Sequence, residues 1–586
     1  MIAKIIPRGR IPLAKPFDYL VPDDFGNVSI GALVGIAFGG RKLCGLIQDL
    51  VRESDLPATK IKPIETAHFG GQPVLTRAQI NLVERLALHY SVPLPLLLLQ
   101  LLPEMPIKGA AGNPASEPGG MFSLGVKQVS SIFDFSEIKR AVEPIARQKL
   151  LILSPSNEYS QVLREMLKDF GPVAAYSGGL AKAKALEAWA ALATGASQIL
   201  ISSRSGVFAP LPRDAAILII ADKEPGHISF DSKPHWDAAF IARLRALFEN
   251  RELVVVSEAP ALDLWAWARQ KEMIARESVV LSVDLSDHRR AGVGGTISEK
   301  AEAAINDATR ENKISVIVVN RKGSALLVKC RDCGNEELCE RCSRPLRLFD
   351  HILRCNFCGG SRPLKERCPA CGGVRLGESG ITVRRVAKEL AQKFSGNKIL
   401  EQDSADDLVK SDAPAIVVGT EKLAHSLRPM LEKREIGAVI IVRAEQLFGL
   451  GEYFDEEDGY GLLAAFRSLA ERQAARFIVQ ADNPKSRAIA ALSGPTGGFY
   501  EKILTERRTY QYPPTHILVR FETRSPKDLA EQEKAMRAVL PPESRLDKIA
   551  SGIYIARFET KDGLLPASFQ KIMNDWSWRI DRDAIS

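Results

Sequence analysis

The sequence predicts a multidomain α/β protein with a mostly-β N-terminal domain, two α/β lobes, a cysteine-rich insert and a small α+β C-terminal domain. Apolar runs alternate with helical segments in two long stretches and predict the lobes, because parallel strands covered on both faces read this way. Eight cysteines crowd into residues 330–371 and mark the insert. A length of 586 residues is enough for about three to five domains, each with its own core.

The first domain is predicted from short strand-like runs that are separated by turn signals such as Gly39-Gly40. A helix is expected to follow, because Thr76 and Gln79 resemble a capping box that opens an apolar stripe at helical spacing. The stretch 107–121 is rich in Gly, Ala, Pro and Ser and reads as a flexible linker.

The two lobes are predicted strand by strand from continuous apolar runs. In the first lobe these runs occupy residues 150–153, 199–201, 217–220 and 253–256. In the second lobe they occupy residues 314–319, 415–418, 438–442 and 477–479. Because helical segments separate runs of this length, we expect two parallel sheets with helices on both faces.

The C-terminal domain follows Pro513-Pro514, where two prolines break regular structure. The predicted divisions are a first domain at 1–105, a linker at 106–146, a first lobe at 147–275, a second lobe at 276–329 and 372–495, the insert at 330–371 and the C-terminal domain at 496–586.

Composition and charge indicate the cellular location of the protein and the partners it could bind. The apolar stretch 92–102 is interrupted by two prolines and is about half as long as a membrane-spanning helix requires. The N-terminal residues lack the apolar core and the cleavage site of a secretory signal, so a cytoplasmic location without membrane contact is expected. A net charge of +8 permits contact with nucleic acid without requiring it.

The insert predicts metal sites. Its cysteines form four C-x-x-C pairs, Cys330 and Cys333, Cys339 and Cys342, Cys355 and Cys358, and Cys368 and Cys371. A reducing compartment disfavours disulfides, whereas two such pairs can surround one tetrahedral zinc ion and leave no open position for chemistry. Two structural Zn²⁺ ions per chain are therefore predicted. We favour a nested arrangement, first pair with fourth and second with third, although spacing leaves three pairings open.

Two features near these cysteines have more than one interpretation. Each four-thiolate zinc centre carries a charge of about 2−, so the basic residues of the insert either offset the thiolates or face nucleic acid. The ninth cysteine, Cys44, lies beside Leu43 and is interpreted as an ordinary buried residue.

Several motifs together resemble the PriA family of bacterial replication restart DNA helicases, which belong to superfamily 2. The resemblance is strongest at residues 15–22 (Lys-Pro-Phe-Asp-Tyr-Leu-Val-Pro), 38–42 (Phe-Gly-Gly-Arg-Lys), 320–323 (Asn-Arg-Lys-Gly) and 512–514 (Tyr-Pro-Pro). It implies that the two lobes are degenerate RecA-like helicase lobes around a double-zinc insert. The family pairs its cysteine knuckles in the nested manner. Residues 107–145 leave no room for its winged helix, which we expect to be absent.

The catalytic motifs of such helicases are altered in this chain. No Gly-Lys-Ser or Gly-Lys-Thr occurs, and residues 130–139, where the phosphate loop is expected, contain no glycine. The acidic motif that positions Mg²⁺ and water reads Asp-Lys-Glu-Pro at residues 222–225. The arginine motif falls at residues 470–476 and lacks both glycines. Because phosphoryl transfer depends on positioning and charge stabilisation, the chain is expected to be a catalytically inactive homologue. ATP is not an expected cofactor, although the sequence leaves residual nucleotide binding open.

The resemblance implies a DNA-binding site in the first domain. In the family, the positions of Phe17, Asp18, Gly39 and Lys62 form a pocket for the 3′ terminal nucleotide, and the segment that contains Arg204 meets DNA. An aromatic ring can stack on a base, a carboxylate can accept a hydrogen bond from a 3′-OH, and a lysine can pair with phosphate. Without the resemblance, the same residues would be read as a turn, a cap and sheet packing.

The function that follows is a DNA-binding replication restart protein of the primosome that recognises branched DNA at stalled forks. Its expected partners are forked DNA, single-stranded DNA-binding protein, and primosome and helicase-loading proteins, at a nucleoid-associated location. The main alternative is a divergent active ATP-dependent 3′ to 5′ DNA helicase. A second alternative is a zinc-stabilised scaffold that contacts proteins or RNA.

Overall fold

The computed structural model describes the following residues: 1–12, 15–103, 122–129, 131–132, 134–177, 179–229, 234–268, 270–272, 280–285, 296–319, 326–330, 332–333, 335, 337–340, 346–349, 352–354, 360–374, 376–379, 382–401, 414–421, 423, 434–444, 447, 453–481, 483–493, 496–524, 529–572 and 575–580. Within this part of the chain, one compact unit contains residues 1–272, 523–544 and 558–580. Another consists mainly of residues 273–522 and 545–557.

The N-terminal domain contains a β-sheet. Its strands are β1 (Ile2–Pro7), β2 (Phe17–Leu20), β3 (Leu33–Phe38), β4 (Arg41–Val51), β5 (Lys62–Pro63) and β6 (Thr66–Ala67), in the order β5-β2-β1-β4-β3-β6. The turn Gly39-Gly40 joins β3 to β4 with φ values of 55° and 76°, which glycine adopts without steric strain. The predicted N-terminal β domain is confirmed.

Two helices follow this sheet, α1 (Arg77–His89) and α2 (Leu94–Leu101). The predicted capping box is present, because the Thr76 side chain accepts the Gln79 N–H and the Gln79 side chain accepts the Thr76 N–H. Gln79 also donates to Glu249 at 2.9 Å, and Glu249 forms ion pairs with Arg245 and Arg251. These three charged side chains are almost fully buried and satisfy one another.

The first unit also holds a parallel sheet. Its strands are β7 (Ser123–Gln128), β8 (Leu150–Leu153), β9 (Val173–Tyr176), β10 (Ile199–Ser202), β11 (Ala216–Ile220), β12 (Glu252–Ser257) and β13 (Gln270–Glu272), in the order β13-β7-β12-β11-β8-β10-β9. Its helices are α3 (Phe135–Ala146), α4 (Asn157–Leu167), α5 (Lys182–Ala190), α6 (Ala238–Phe248) and α7 (Leu262–Trp267). The apolar runs predicted as strands all lie in this sheet.

The start of this lobe differs from the predicted boundary at residue 147. Strand β7 pairs in parallel with β12, and helix α3 contributes Ile138 and Val142 to the buried core of the sheet. Both elements come from the segment 106–146 that was predicted as a linker, so the fold of the lobe begins near residue 123. Residues 107–121 lie outside the described part of the chain.

The second unit contains another parallel sheet and the insert. Its strands are β14 (Leu281–Asp284), β15 (Ile314–Val318), β16 (Leu326–Cys330), β17 (Arg347–Phe349), β18 (Ile352–Arg354), β19 (Ser361–Pro363), β20 (Leu376–Ser379), β21 (Lys398–Glu401), β22 (Ala415–Gly419), β23 (Ile436–Ile441) and β24 (Arg476–Ala481). The parallel order is β14-β24-β23-β15-β22-β21, and the four apolar runs predicted as strands lie in β15, β22, β23 and β24. The insert forms the antiparallel order β19-β18-β17-β16-β20.

The helices of the second unit are α8 (Glu299–Arg310), α9 (Val383–Lys393), α10 (Asp455–Arg472), α11 (Arg487–Ala490) and α12 (Thr496–Thr509). Further strands along the chain are β25 (Ile517–Thr523), β26 (Arg545–Ala550) and β27 (Ile553–Phe558), and β26 pairs antiparallel with β27. Helix α13 (Leu529–Val539) and strand β28 (Trp576–Ile580) complete the described C-terminal region.

The helices of the described chain were also compared with the length and hydropathy of membrane spans. None of them alone is both long enough and apolar enough to cross a membrane. Helices α1 and α2 meet the criterion only when taken together, and they are bent by 117° at the break between them.

Candidate functional sites

The first candidate site lies where strand β2 begins, beside the turn between β3 and β4. The Phe17 ring packs edge-on against Phe38, with 4.8 Å between ring centroids, and both rings are partly buried. Gly39 follows Phe38 directly, and a Cβ atom added at Gly39 would have no atom within 4 Å. The structure therefore places Phe17 near Gly39, with open space above the turn.

Asp18 lies in a different environment from its neighbour. Its carboxylate accepts hydrogen bonds from Lys4 Nζ at 3.1 Å and from Ser54 Oγ, and its side chain is 10% exposed. Desolvation acts to raise its pKa, but these two hydrogen bonds and the Lys4 charge outweigh it and hold the pKa of Asp18 below the ordinary value. Asp18 is thus ionised at neutral pH, and Lys4 and Ser54 position it.

The register of the sheet separates these side chains. Successive residues of a strand point to opposite faces, so Phe17 shares a face with Tyr19 while Asp18 lies on the other face. Lys62, which is exposed, stands opposite Tyr19 in the parallel pairing of β2 with β5 and so shares the face of Phe17. A nucleotide that contacts both Phe17 and Asp18 must cross the end of β2.

Arg204 lies far along the chain from this site. It opens a turn of 3₁₀ helix at Arg204–Gly206, directly after strand β10, and is partly buried. A Cβ at Gly206 would lie 2.2 Å from Ser202 Oγ, so only glycine fits the close approach of this turn to the strand. The position at the carboxyl end of a parallel strand is typical of binding residues.

A second candidate site is the cysteine cluster. The sulfurs of Cys330, Cys333, Cys368 and Cys371 all lie within 4.8 Å of one another. The Sγ–Sγ distances are 3.7 Å for Cys330 and Cys371 and 3.7 Å for Cys333 and Cys368. Four thiolates about 2.3 Å from a tetrahedral ion would be about 3.8 Å apart, so this cluster has the geometry to hold a metal ion.

The backbone around the fourth C-x-x-C pair, Cys368 and Cys371, contributes to the structure of this cluster. Desolvation acts to raise the pKa of Cys368, but N–H groups of Cys371 and Ala370 directed at its sulfur lower that pKa to about 7. A Cβ at Gly373 would lie 2.3 Å from Asp332 Oδ2, and Gly372 has a φ of 69°. Glycines at these positions allow the chain to fold closely around the sulfurs.

The structure thus brings the first and fourth C-x-x-C pairs together, the pairing that we favoured. Of the second and third pairs, Cys339 is buried and packs against Leu346 and Leu353. Cys342, Cys355 and Cys358 lie outside the described residues. The cysteine outside the insert, Cys44, is partly buried, and burial raises its pKa to about 12.

The segment 130–139, which was expected to cradle nucleotide phosphates, follows strand β7 and includes the first residues of helix α3. Asp134 caps α3, and its Oδ1 atom accepts the N–H groups of Ser136 at 3.0 Å and Glu137 at 3.1 Å. Glu137 in turn accepts the Ser131 N–H at 3.4 Å. Carboxylates of the chain itself therefore bond N–H groups at the position where a phosphate loop offers them to a ligand.

A residue that sequence reasoning missed completes this loop. Glu258 follows strand β12, and its Oε1 atom accepts the Ile132 N–H at 2.8 Å. Gln128 donates to the Glu258 backbone oxygen at 2.8 Å, and Glu258 is 6% exposed. A charged residue two positions after the apolar run 253–256 was the signal that could have identified it, since a buried carboxylate needs donors.

The acidic motif at residues 222–225 is also part of the structural framework. Asp222 Oδ2 accepts the Ala261 N–H at 2.7 Å, at the N-terminus of helix α7. Burial raises the pKa of Asp222 to about 6, although hydrogen bonds from Ser257 and Ala261 act in the opposite direction. Glu224 precedes a short 3₁₀ helix that Pro225 opens. Asp222 therefore serves as a helix cap here.

The segment 470–476 runs from the end of helix α10 into strand β24. Its final residue, Arg476, forms an ion pair with Asp307 at 2.6 Å. Ala474 has a φ of 50°, a left-handed conformation that glycine adopts more readily than alanine. The altered arginine motif therefore joins α10 to β24, and one of its arginines is held on the surface of its own lobe.

Comparison with known proteins identifies the class of the first domain. Residues 9–103 match the family model described as "3'DNA-binding domain (3'BD)" of PriA. The match covers the β2 strand, the Gly39-Gly40 turn and Lys62. The N-terminal domain is therefore a DNA-binding domain of this type.

Longer similarities extend over the rest of the chain. The replication restart protein PriA of Thermotoga maritima is 28% identical over 372 residues, 60% of this chain and 49% of the relative. That of Synechocystis sp. is 24% identical over 471 residues, 74% of this chain and 55% of the relative. By these matches the chain is similar to the replication restart protein PriA along more than half of its length. The chain spans about half the length of the curated relatives it matches.

Solved structures give a weaker likeness. RecG bound to a three-way DNA junction has a TM-score of 0.35 and 12% identity, covering 66% of this chain and 44% of that chain. Fold similarity at that level supports no conclusion about a shared site.

The cap formed by Asp222 leads to a prediction about pH. An acid whose pKa is about 6 when folded and 3.8 otherwise binds more protons in the folded state, so its contribution to stability falls as pH rises across that range. Asp222→Asn keeps an oxygen for the Ala261 N–H and removes the charge. Thermal unfolding should therefore show the variant at least as stable as wild type at pH 7, with a shallower decline between pH 4 and 6.

Asp169→Asn is the matched control, because the Asp169 side chain is 69% exposed and should leave the pH profile unchanged. A large loss of stability at pH 7 in Asp222→Asn alone would contradict the raised pKa and show that the charge itself stabilises the fold.

Proposed function

We propose that this chain is a DNA-binding replication restart protein that recognises branched DNA at stalled forks and has no helicase or ATPase activity. The observation that carries the proposal is the 3′ DNA-binding domain, matched over residues 9–103, in which Phe17 and Asp18 open strand β2 and Phe17 packs against Phe38 beside Gly39. The resemblance stated above supplies the ligand, a 3′ terminal nucleotide at a branch point.

The chemistry of the site suits a free 3′ end. The carboxylate of Asp18 has about four lone-pair positions, of which Lys4 and Ser54 use two, so it can still accept a hydrogen bond from a 3′-OH. The same negative charge disfavours a 3′ phosphate. The partly buried Phe17 ring offers an edge for a base, and exposed Lys62 can contact the backbone phosphate on the same face.

The absence of catalysis is part of the proposal and follows from three altered motifs. A working centre needs N–H donors and a lysine for the phosphates, carboxylates for Mg²⁺, and arginines for the transition-state charge. Here the loop donors bond Asp134, Glu137 and Glu258, and Asp222 caps helix α7. The loop N–H groups would have to change partners before they could bond nucleotide phosphates.

The metal of the cysteine cluster is proposed to be zinc, with two ions per chain. The arrangement of Cys330, Cys333, Cys368 and Cys371 has only sulfur ligands and tetrahedral spacing, which fits zinc in a closed structural site. The second ion would use the two remaining C-x-x-C pairs. Zinc would contribute folding free energy to an insert with little apolar core.

The partners follow from the family. A fork-recognising protein without its own motor needs others to unwind DNA and load a helicase. We propose contacts with single-stranded DNA-binding protein and with primosome and helicase-loading proteins. A divergent but active helicase is the competing function, and the ATP measurement below distinguishes the two.

Metal content tests the zinc assignment. Protein purified without chelators should contain two zinc ions per chain, and Cys368→Ser should lose about one of them, because a closed four-thiolate site tolerates no missing ligand. Cys44→Ser is the control and should retain both ions. Elemental analysis that finds one zinc or none in wild-type protein would contradict two structural sites.

Nucleotide turnover tests the absence of catalysis. ATP hydrolysis with forked DNA present should not exceed that of an Asp222→Asn, Glu224→Gln double variant, because neither carboxylate would be serving Mg²⁺ or water in wild type. Turnover in wild type that the double variant abolishes would establish an active centre and favour the divergent helicase.

The DNA end tests the recognition site. Forks that end in a 3′-OH at the junction should bind about tenfold or more tightly than forks ending in a 3′ phosphate, since a hydrogen bond to a charged group contributes about 1.5–3 kcal/mol. Asp18→Ala should reduce that preference and leave duplex binding and its salt dependence nearly unchanged.

Asp49→Ala controls for loss of a carboxylate from the same sheet, because Asp49 lies on β4 and is about half exposed. Equal affinity of wild-type protein for the two fork ends would exclude a 3′-OH site in this domain.

A further inference from the structure

The loop between β7 and α3 is closed by contacts from two directions. On one side Glu258, at the end of the neighbouring strand β12, bonds the Ile132 N–H at 2.8 Å. On the other side Tyr159 of helix α4 donates its hydroxyl to the Ile132 oxygen at 2.5 Å. Both backbone groups of Ile132 are thus satisfied inside the lobe, and Ile132 is 4% exposed.

The topology explains why Glu258 can reach this loop. Strands β7 and β12 are adjacent and parallel, so their carboxyl ends meet at one edge of the sheet. The Val129 N–H bonds the Ser257 oxygen at 3.0 Å and holds the two strand ends in register one residue before Glu258. The carboxylate is therefore aimed at the loop by the sheet itself.

We propose that Glu258 is an internal substitute for a nucleotide phosphate. In a phosphate loop, backbone N–H groups at a strand-to-helix junction bond the oxygens of a bound anion. In this chain the acceptor of the Ile132 N–H is the buried carboxylate of Glu258, which the chain itself supplies. The inference rests on the proposed loss of ATP binding and adds the residue that takes the place of the phosphate.

A specific consequence follows for a chain from which this carboxylate is removed. Glu258→Ala leaves the Ile132 N–H without its acceptor in a position shaped for an anion oxygen. An inorganic anion such as pyrophosphate should then bind there and restore the lost hydrogen bond. Wild-type protein should not respond, because its own carboxylate already occupies the position.

Hydrogen–deuterium exchange of the peptide 129–137 in the full-length protein measures the protection of the backbone N–H groups in this loop, including that of Ile132. Exchange in Glu258→Ala should be about tenfold or more faster than in wild type, as expected when a buried N–H loses a charged acceptor. Pyrophosphate should return the variant toward the wild-type rate, relative to sodium chloride of equal ionic strength. No acceleration in the variant, or no protection by pyrophosphate, would overturn the proposal.

Two further variants keep the result interpretable. Glu258→Gln retains the shape and an oxygen acceptor but loses the charge, so it should fold even where the alanine variant does not, with exchange several-fold faster than wild type. If the peptide exchanges at the wild-type rate in Glu258→Gln, the charge of Glu258 is dispensable. That result would overturn the proposal that Glu258 takes the place of a phosphate. Glu252→Ala removes a carboxylate from the other end of β12, where it bonds Gln148 at 2.8 Å, and should show no response to pyrophosphate.

The outcome is independent of the activity assay. ATP hydrolysis by wild-type protein would refute the inactive function whatever the exchange rates are. Failure of pyrophosphate to protect the alanine variant would refute the role of Glu258 while leaving the absence of catalysis untouched.

Discussion

The first lobe depends on one constraint: backbone N–H groups at the junction of a buried strand and a helix must bond to an acceptor. A buried N–H left without one destabilises the fold by about 1–3 kcal/mol. In nucleotide-binding proteins a phosphate meets this need while the ligand is bound. Here Glu258, Asp134 and Glu137 accept those N–H groups from within the chain. The parallel sheet can thus keep the loop geometry of a nucleotide-binding protein without its ligand.

After the adjacent strand β11, another carboxylate of the chain also accepts a backbone N–H group. Asp222, just after β11, lies in the segment that resembles an acidic helicase motif and accepts the N–H of Ala261. Burial disfavours its charged form and raises its pKa to about 6. In the proposed inactive function, acidic side chains at these positions would be retained because N–H donors at helix N-termini favour them.

Much of the fold could be predicted because buried parallel strands are continuous apolar runs. The run 150–153 coincides with β8, and the capping box at Thr76 is present. Strand β7 escaped prediction because Ser123–Gln128 alternates between half-buried and buried residues, a weaker signal beside a Gly- and Pro-rich stretch. Helix α3, which follows β7, also has a weak sequence signal, because it contains Pro144 near its C-terminal end.

The candidate sites were less predictable, since they depend on which strands pair. Lys4 and Ser54 hold Asp18 although they lie 14 and 36 residues from it along the chain. Neither contact has a local signature, and the resemblance that indicated Asp18 did not identify its partners. The placement of Phe17 and Asp18 on opposite faces of β2 follows from the pleat alone once the strand is recognised. For the cysteines, spacing indicated the metal, but only the fold brings the first and fourth pairs together.

The proposed function assigns recognition of a DNA end to the first domain and no nucleotide chemistry to the first lobe. Because the two sites lie on different sheets, nucleotide binding could be lost while DNA binding is kept. The proposed DNA-end site lies on a sheet with its own buried core, from β1 to β6, whereas the loop after β7 belongs to the parallel sheet of the first lobe. In the proposed function, loss of nucleotide binding would leave the first domain intact, provided that the lobe remains folded. A carboxylate that replaces the phosphate would meet this condition at the loop itself. The lobe would then contribute a stable framework, and recognition of the DNA end would require no energy from ATP.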